Sequence, residues 1–369
     1  MSVKIDFIQN GRASGDVADL LMESGGDVRV LRPYVGRDGR SYVTANSGQY
    51  KDGKPVLEAK LTDNAATLRK DEWVRLDNVL LQAKRLRLRA YSDLRAANTY
   101  GGFDGFSTMM LEHELVDDVG EAHVDFDGLT EGGNAAPQFA LEGLPLPIIH
   151  APFHFSARRL AVSRKQGTPL STTQAERSTR RVMETVERMT IGTLLTKKLA
   201  PGNVADYRRA PSIYGYGNHP DRLTDTITSP TAPGWTPSTL VTEVLDIISS
   251  LQDNGFDGPF MVYHGKGWTK HMGEDYSDAK GDNTVRERLR DIEEISDVRK
   301  LNYMGSDYRI LVVQMTEDVA EAVNGMEFSM IQWDTKGGMQ KNFRVMGIQV
   351  PRIKSDINGR CGICDAAPA

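Results

Sequence analysis

The chain has 369 residues, enough to bury a sizeable hydrophobic core and to hold about two or three modules. Its formal net charge of -5 and its isoelectric point near 5.9 argue against a dedicated nucleic-acid coat protein, although an acidic shell that encloses nucleic acid loosely is still allowed. No apolar run approaches the length of a membrane-spanning helix, and the N-terminus lacks the apolar core of a secretory signal. We therefore expect synthesis in the cytoplasm and no membrane partner.

The N-terminal part of the chain is predicted to be an arm followed by a helix. Residues 1–66 are rich in Gly, Ser, Asp and Arg and have only short apolar runs, so we expect them either to fold onto something else or to stay mobile. A helix is predicted from Thr67 to about Ala97, because apolar residues recur at helical spacing. These residues are Trp73, Leu76, Leu80 and Ala83. The second half of the helix is basic and either faces an anionic partner or pairs with local acids such as Asp93, which is the interpretation we favour.

Two extended segments are predicted between residues 111 and 158, on either side of the Gly-rich turn TEGGNAAP. The first segment is acidic, and its apolar residues are Val124, Phe126 and Leu129. The second contains prolines, which remove ladder donors and predict an edge strand or a long arm. These are Pro145, Pro147 and Pro152. A hairpin with so few core-facing residues is not stable alone in water, so we expect it to lie on another chain.

A long amphipathic helix is predicted for residues 171–191. Two overlapping capping boxes are available, from Ser171 to Gln174 and from Thr173 to Glu176, and Gly192 provides the stop. The residues that fall on its apolar face are Ala175, Val182, Val186 and Met189.

The C-terminal half is predicted to form a compact α/β unit and a hairpin. After a loop-rich stretch from Lys197 to Trp235, Thr236 caps a helix that has Pro237 at its first position. The apolar stripe of this helix is Leu240, Val244, Ile247 and Leu251. Buried strands are predicted at PFMVYHG and RILVVQM, with a helix around residues 285–295 between them, which makes an α/β unit over residues 236–325. Residues 326–360 form a hairpin with a turn at residues 334–338, and residues 361–369 are a tail.

The two cysteines, Cys361 and Cys364, exclude a disulfide scaffold by their number. They could form half of a zinc site shared between subunits, or a local redox pair. We favour two small residues in a flexible tail, because a zinc site needs four ligands and the chain offers no partners nearby.

The sequence contains no phosphate-binding loop, nucleophile elbow or zinc-protease helix, so no cofactor is predicted. The best enzymatic candidate is the segment that carries His264, His271, Glu274, Asp275 and Asp278, which could bind a metal or divide acid and base roles. We favour an exposed polar loop, because no framework fixes these groups. The acids of the hairpin, which include Glu112 and Glu114, lack the ligand spacing of a calcium loop. Arg158, Arg159 and Arg164 at the foot of the hairpin could pair with such acids across an interface.

The order of these parts resembles the Hong Kong 97-type major capsid proteins of tailed bacteriophages, in particular the branch similar to encapsulins. The resemblance covers roughly residues 67–362, and its most specific parts are LPLPIIHAPFHFSARRL with the following helix and GMEFSMIQWDTKGGMQKNFRVMGIQVPRIKSDINGRCGI. It implies an α+β Hong Kong 97-like capsid fold. In that fold, residues 1–66 are the N-terminal arm, and residues 67–235 are a P-domain that carries the extended E-loop (about 111–158) and the spine helix (171–191). Residues 236–325 are the A-domain, and residues 326–360 close the P-domain.

The resemblance implies a structural protein, not an enzyme, that assembles with copies of itself into hexamers and pentamers around double-stranded DNA without sequence-specific contacts. Scaffolding, portal and decoration proteins are the further partners that it implies, and the virion capsid is the location. The residues expected at contacts between the E-loop and a neighbouring subunit are Asp117, Asp118, Glu121, Asp125, Asp127, Phe139, Leu144, Pro145, Pro147, Phe153, Arg158 and Arg159. Some relatives crosslink their subunits through an E-loop Lys, but no Lys occurs from Glu112 to Phe155, so we expect non-covalent contacts here.

Two alternatives are kept. An encapsulin-type compartment would have the same fold and a protein cargo, although encapsulins usually begin close to their first helix and this chain has a long arm. A metal-dependent enzyme would be a small oligomer with stoichiometric metal, whereas a shell protein would sediment as very large particles.

Overall fold

The computed structural model describes residues 7–9, 12–14, 33–51, 54–61, 68, 70–116, 139–166, 172–194, 213–276, 283–356 and 358–368. The helices are α1 (Lys70–Arg87), α2 (Ala90–Ala97), α3 (Ala157–Gln166), α4 (Thr173–Ile191), α5 (Pro237–Asp253), α6 (Trp268–His271) and α7 (Val285–Arg290). The strands of the first half are β1 (Phe7–Gln9), β2 (Arg12–Ser14), β3 (Tyr34–Val35), β4 (Ser41–Lys51), β5 (Lys54–Leu61), β6 (Thr99–Tyr100), β7 (Met110–Val116), β8 (Phe139–Pro145) and β9 (Ile149–Ser156). Those of the second half are β10 (Leu223–Ile227), β11 (Phe260–His264), β12 (Ile295–Lys300), β13 (Ile310–Gln314), β14 (Ala320–Thr335), β15 (Gln340–Ile353) and β16 (Ile363–Pro368).

A five-stranded sheet in the order β10-β16-β13-β11-β12 forms the centre of the α/β unit. Every residue of β11 and β13 is buried, as their continuous apolar runs predict for central strands. Helix α5 covers this sheet, and its predicted stripe from Leu240 to Leu251 is fully buried in the same hydrophobic cluster as Val262 and Val312. The predictions of α5, β11 and β13 are therefore confirmed.

A second sheet, in the order β6-β14-β15-β9, lies against α4 and α1. Its inner face carries an aromatic cluster in which Phe343 stacks on Phe153 with ring centroids 5.2 Å apart and meets the edges of Phe155 and Trp73. Strand β9 is the edge strand of this sheet, and Pro152 lies on it, which confirms the prediction of an edge strand. The predicted hairpin of β14 and β15 is also confirmed.

The single helix predicted over residues 67–97 is wrong, since α1 ends at Arg87 and α2 begins at Ala90. The break is stabilised from outside the segment. The carboxylate of Glu187 on α4 accepts hydrogen bonds from the backbone N–H groups of Arg89 (3.0 Å), Ala90 (2.9 Å) and Tyr91 (3.4 Å). These donors belong to the first turn of α2, which a continuous helix would have bonded internally.

Several element boundaries also differ from the predictions. Residues 157–166, for which no helix was predicted, form α3, because the last proline of the segment is Pro152 and nothing after it opposes a helix. Helix α4 begins at Thr173, and its N-cap residue is Thr172, whose hydroxyl donates to Oε1 of Glu176 at 2.7 Å. Ser171, the first residue of one predicted capping box, lies outside the described residues. The loop-rich stretch 197–235 contains β10, and the helix expected at residues 285–295 stops at Arg290, before β12.

Residues 361–369, expected to be a tail, contain β16, which lies between β10 and β13. Ile363 and Ala366 are fully buried there. The boundary expected between residues 325 and 326 falls inside β14, at a bulge between Asn324 and Met326.

The predicted N-terminal arm contains the hairpin of β1 and β2 and the three-stranded sheet of β3, β4 and β5. This sheet is attached to the body near α1, where Val35 N–H donates to the Leu68 carbonyl (3.0 Å) and the Trp73 indole donates to the Pro33 carbonyl (3.1 Å). None of the helices in the described part of the chain is long and apolar enough to span a bilayer.

Candidate functional site: the hairpin and the outer sheet face

The predicted hairpin forms from β7 and β8, which pair antiparallel from Met110 opposite Pro145 to Val116 opposite Phe139. Within the described residues, these two strands make a sheet of their own with no third strand. Both long edges of the hairpin therefore offer unpaired backbone groups, and a two-stranded sheet gains little stability alone. This geometry suits contact with another chain.

The base of the hairpin is fixed to the body of the subunit. Leu144 and Leu146 are only 7% and 6% exposed and lie in one hydrophobic cluster with Met189 of α4 and Val350 of β15. The Leu146 N–H also donates to the Met109 carbonyl at 3.0 Å. Pro147 lies in the short link to β9 and is half-buried.

The acidic residues expected at the neighbour contact fall on a segment that the structure does not describe. These are Asp117, Asp118, Glu121, Asp125 and Asp127, and the apolar residues Val124, Phe126 and Leu129 lie outside the described part in the same way. Of the other expected contact residues, Phe153 is 6% exposed in the aromatic cluster, so it serves the core of its own subunit.

The side of the second sheet opposite α4 is named here the outer sheet face. It consists of residues that alternate with the aromatic cluster: His150, Pro152 and His154 of β9, Asn342, Arg344 and Met346 of β15, and Ile331 and Trp333 of β14. Ile331 and Met346 are buried beneath neighbouring side chains such as Phe106. The polar part of this face is therefore centred on Arg344 and Trp333.

Arg344 lies with its guanidinium carbon 5.1 Å from the centre of the Trp333 ring, a cation–π contact. Burial lowers the pKa of Arg344, and its Nε atom is buried without a hydrogen-bond partner. Partial burial and, next, the charge of Arg344 lower the pKa of His150 as well. The sequence-based prediction did not single out Arg344 or Trp333, because their proximity depends on the register of β14 and β15.

The C-terminal end of β9, where the chain enters α3, is positively charged. Strand β9 leads directly into α3, where Arg158 and Arg159 are exposed and have no ion-pair partner among the described residues. The Ala157 N–H donates to the Met339 carbonyl (2.9 Å), which holds this end against the turn between β14 and β15. The side chain of Arg164 lies outside the described part.

Helix α4 supports both the sheet and α2. Its predicted apolar residues are at most 2% exposed: Ala175, Val182, Val186 and Met189. Glu187 on the same helix is 2% exposed, and burial raises its pKa to about 7 although three backbone N–H groups oppose this shift. Gly192 ends the helix in the left-handed conformation (φ 84°), as predicted.

Asp93, the local acid expected to pair with the basic half of the first predicted helix, pairs with a distant strand instead. The side chains of Lys84, Arg85 and Arg87 in that half lie outside the described part of the chain. Asp93 is 8% exposed and forms an ion pair with Arg299 on β12, 206 residues away, and it accepts a hydrogen bond from the Tyr263 hydroxyl at 3.1 Å. Arg95 pairs with Glu327 on β14. The Asp93 contacts join α2 to the five-stranded sheet, and the Arg95 contact joins α2 to the second sheet.

Strand β16 is held by a partly buried ion cluster. Arg309 binds Asp365 through Nε (2.6 Å) and Nη2 (2.5 Å), and Arg222 donates from Nε to the same carboxylate at 3.1 Å. Arg309 also donates to the carbonyls of Met304 (3.0 Å) and Gly217 (2.8 Å). The cluster thus ties β16 to β13 and to the segment before β10.

The cysteines next to this cluster are buried, which overturns the expectation of a flexible tail. Cys361 and Cys364 are 1% and 2% exposed, and both thiols are free. Burial raises the pKa of each thiol to about 12. They act as small core residues, since a thiolate is the species that binds zinc or enters disulfide exchange.

The described residues of the enzymatic candidate do not come together as one site. His264 is fully buried, burial lowers its pKa to about 4, and its Nδ1 atom lies 2.9 Å from the Gly265 carbonyl oxygen. His271 contacts Glu274 at 3.0 Å, and Asp278 lies outside the described residues. The described part of the chain holds no group of three or more potential ligands that could bind a metal ion.

Known shells share the fold of this chain. The virus-like particle from Pyrococcus furiosus aligns with 80% of this chain and 99% of its own, at 12% identity and a TM-score of 0.54. The capsid of Myoviridae phage XM1 aligns with 74% of this chain and 90% of its own (10% identity, TM-score 0.54). A structure from Mycobacterium phage Bobi aligns with 85% of this chain and 96% of its own (12% identity, TM-score 0.51). At these identities the similarity establishes the fold, which is the Hong Kong 97-like capsid fold expected from the sequence.

No curated protein matches the sequence. A family model, described as a family of unknown function (DUF6260), matches residues 64–366, which is most of the chain. The chain therefore belongs to the DUF6260 family, and its structure has the Hong Kong 97-like capsid fold.

Proposed function

We propose that this chain is a major capsid protein: a structural subunit that assembles through non-covalent contacts into the icosahedral shell of a tailed double-stranded DNA bacteriophage. The observation that carries the proposal is coverage. The chain aligns with 99% of the length of the subunit of the Pyrococcus furiosus virus-like particle and with 90% of that of the phage XM1 capsid, so it contains nearly every part of their fold.

The free hairpin supports the same function. Among the described residues, β7 and β8 have no partner strand in their own subunit, while Leu144 and Leu146 fix the base of the hairpin to the subunit core. An anchored arm with open edges stabilises an assembly only when it meets a neighbour. In our proposal the acids beyond β7 meet Arg158 and Arg159 of the adjacent subunit, and copies of the α/β unit surround the symmetry axes. Hexamers and pentamers are the assemblies, scaffolding, portal and decoration proteins are the further partners, and assembly takes place in the host cytoplasm.

The test is to express the chain and examine it by analytical ultracentrifugation and electron microscopy. We expect hollow icosahedral particles of megadalton mass. Boiling in denaturant should release single chains, because the hairpin from Glu112 to Phe155 has no lysine for a crosslink. Monomers or dimers under every assembly condition would refute the proposal.

An encapsulin-type compartment is the second candidate, because the virus-like particle matches with the same TM-score as the phage XM1 capsid, 0.54. The content of purified particles separates the two functions. Double-stranded DNA or a DNA-packaging requirement supports the phage capsid, whereas a co-purifying protein cargo without nucleic acid supports the compartment.

A further inference from the structure

We propose that a cavity between the C-terminal end of α4 and the loop from β12 to β13 binds a phosphate group, carried by free phosphate or by a small phosphate ester. The cavity is lined by Arg188 of α4, by Lys266 in the turn after β11, and by loop residues 301–307. It lies within one subunit, so the inference goes beyond the proposed shell function and does not depend on it.

The cavity has a volume of about 310 Å³, at the lower end of the range of about 300–1,000 Å³ that is usual for small-molecule sites. Its loop wall is fixed to the end of α4. The Thr193 hydroxyl donates to the Tyr303 carbonyl at 2.8 Å, and a Cβ atom added to Gly305 would lie only 3.5 Å from the Thr193 methyl group. The cavity therefore suits a compact anion and is already formed without one.

Arg188 supplies positive charge at the helix wall. Its guanidinium carbon lies 4.9 Å from the centre of the Tyr303 ring, a cation–π contact that orients the group. Arg188 is half-buried, and its Nε atom is buried without a hydrogen-bond partner in the described part of the chain. The nearest acid along the helix, Glu184, is bound by Arg180 and Arg181 instead.

The carbonyl groups at the end of α4 already have donors, so they do not replace an anion. The Thr190 carbonyl accepts the Tyr216 N–H at 2.9 Å, and the Ile191 carbonyl accepts the Gly217 N–H at 2.9 Å. A half-buried guanidinium without a counter-ion is unfavourable. An anion in the cavity would relieve this cost through charge-assisted hydrogen bonds to Arg188.

The loop contributes backbone donors. The N–H groups of residues 304–306 donate to no acceptor among the described residues. Gly305 lies in the left-handed conformation (φ 85°), and successive N–H groups around such a residue form a concavity that binds anions. These amides lie on the side of the cavity that faces the end of α4.

Lys266 adds a second cation at the mouth of the cavity. Its side chain is 70% exposed, and its Nζ atom lies 3.5 Å from the carboxylate of Asp307, which is 58% exposed. A pair as exposed as this one is weak, so the ammonium group is available to an entering anion. Two cations and one carboxylate leave the cavity with an excess of positive charge.

The arrangement of donors favours phosphate over a carboxylate. Donors come from three parts of the fold: the helix, the loop and the turn after β11. A phosphate group offers three or more acceptor oxygens in different directions, whereas a carboxylate offers two in one plane. A phosphate group is therefore able to meet all three sets of donors at once.

Isothermal titration calorimetry of the full chain tests the site, with the ionic strength held constant by NaCl. We expect saturable binding of inorganic phosphate with a dissociation constant of about 1 mM or lower, and acetate binding at least about tenfold weaker. Glycerol 3-phosphate is titrated in parallel: tighter binding than that of inorganic phosphate identifies a phosphate ester as the ligand, and weaker binding identifies the free ion.

Substitutions locate the binding. Arg188→Gln should weaken phosphate binding at least about tenfold, the loss expected for a charged hydrogen bond. Lys266→Gln, at an exposed position that does not affect folding, should weaken it about threefold. Arg177→Gln removes an exposed arginine of α4 that lies eleven residues, or roughly 16 Å, before Arg188, and it should leave binding unchanged.

Two further measurements support the assignment. Phosphate should raise the midpoint of thermal unfolding of the unmodified chain with the logarithm of its concentration, and this rise should be lost in Arg188→Gln. The midpoints without phosphate check that the variants are folded. Hydrogen exchange at the amides of residues 304–306 should slow when phosphate is bound.

The inference is overturned if phosphate shows no saturable binding up to about 10 mM. Binding that Arg188→Gln and Lys266→Gln leave unchanged would place the phosphate elsewhere and overturn it as well. Acetate binding as tight as phosphate binding would reject the phosphate class. A short DNA duplex that binds through Arg188 and is not displaced by phosphate would assign the cavity to nucleic acid and overturn the inference too.

Discussion

Removing the carboxylate of Asp365 should destabilise the five-stranded sheet strongly. The Arg309 side chain is 15% exposed and would lose its bidentate partner, while Arg222 would lose a hydrogen bond at 3.1 Å. Breaking a buried ion pair from one side costs about 3–5 kcal/mol. Because Arg309 keeps the carbonyl oxygens of Met304 and Gly217 as acceptors, we expect a loss near the lower end, about 3 kcal/mol of unfolding free energy for Asp365→Ala.

The assay is urea unfolding of the unassembled chain, followed by circular dichroism, with hydrogen exchange at the amides of β10 and β13 to locate the effect. Asp225→Ala is the matched control, since Asp225 is an exposed acid on β10 whose carboxylate accepts the backbone N–H of Thr226. This variant should change the free energy by less than about 0.5 kcal/mol.

Equal losses in Asp365→Ala and Asp225→Ala would refute the reasoning. A double variant, Asp365→Ala/Arg309→Met, gives a second test. It should recover part of the unfolding free energy lost in Asp365→Ala, because methionine leaves no unpaired charge at this position. If the double variant has a lower free energy of unfolding than Asp365→Ala, the main role of Arg309 is to bind the carbonyl oxygens of Met304 and Gly217.

Three further predictions concern groups inside the subunit. Burial raises the folded-state pKa of Glu187 from 4.5 to about 7. Between these two pH values the folded chain keeps a proton on Glu187 that the unfolded chain has lost. The free energy of unfolding therefore falls as the pH rises through this range, by up to about 1.4 kcal/mol per pH unit. Glu187→Gln should remove this dependence in unfolding experiments at a series of pH values. Phe343→Ala should cost about 3–5 kcal/mol of unfolding free energy, because Phe343 is fully buried in the aromatic cluster, whereas the exposed Met339→Ala should change it little. Cys361 and Cys364 should resist a thiol reagent at pH 8 until the chain is unfolded, since burial raises both pKa values to about 12.

Each has a result that would contradict it. The pH dependence of stability would be unchanged in Glu187→Gln if another group were responsible for it. Similar losses for Phe343→Ala and Met339→Ala would mean that the aromatic cluster is not the core of the second sheet. Rapid labelling of two thiols in the folded chain would show that β16 opens readily.

The elements predicted correctly are those whose sequence repeats one signal over several residues. Helix α5 combines Pro237 at its first turn with a stripe of apolar residues, and β11 and β13 are continuous apolar runs. The strands β12 (ISDVRK) and β16 (ICDAAP) contain charged or small residues, and β16 ends in a proline. They form strands because they pair with neighbouring strands: β12 with β11, and β16 with β10 and β13. Local propensity does not contain that information.

The split between α1 and α2 escaped prediction for a related reason. The acceptor for the N–H groups of α2 is Glu187, nearly a hundred residues later in the chain. Likewise, Asp93 is close in sequence to basic residues, yet its partner Arg299 comes from another part of the fold. Such pairs follow from tertiary structure, so a local search for ion pairs is bound to miss them.

The hairpin of the candidate site was predictable, but the outer sheet face was not. A turn at residues 334–338 would place Trp333 opposite Met339, whereas the structure pairs Trp333 with Asn342. Because side chains alternate between the two faces of a strand, a shift of three residues moves a partner to the other face. The contact of Trp333 with Arg344 therefore depends on a detail of one turn.

The position of β16 means that the two sheets cannot be separated by cutting the chain once. Strand β13 and its neighbour β16 are separated in sequence by the whole of β14 and β15, which belong to the other sheet. A fragment of residues 236–325 would contain β11, β12 and β13 but neither β10 nor β16, and it would also carry away the first residues of β14. The subunit is thus interlaced, so a tag, a cleavage site or a foreign domain is best placed at a surface turn such as Lys336–Gly338 and not at an apparent domain border.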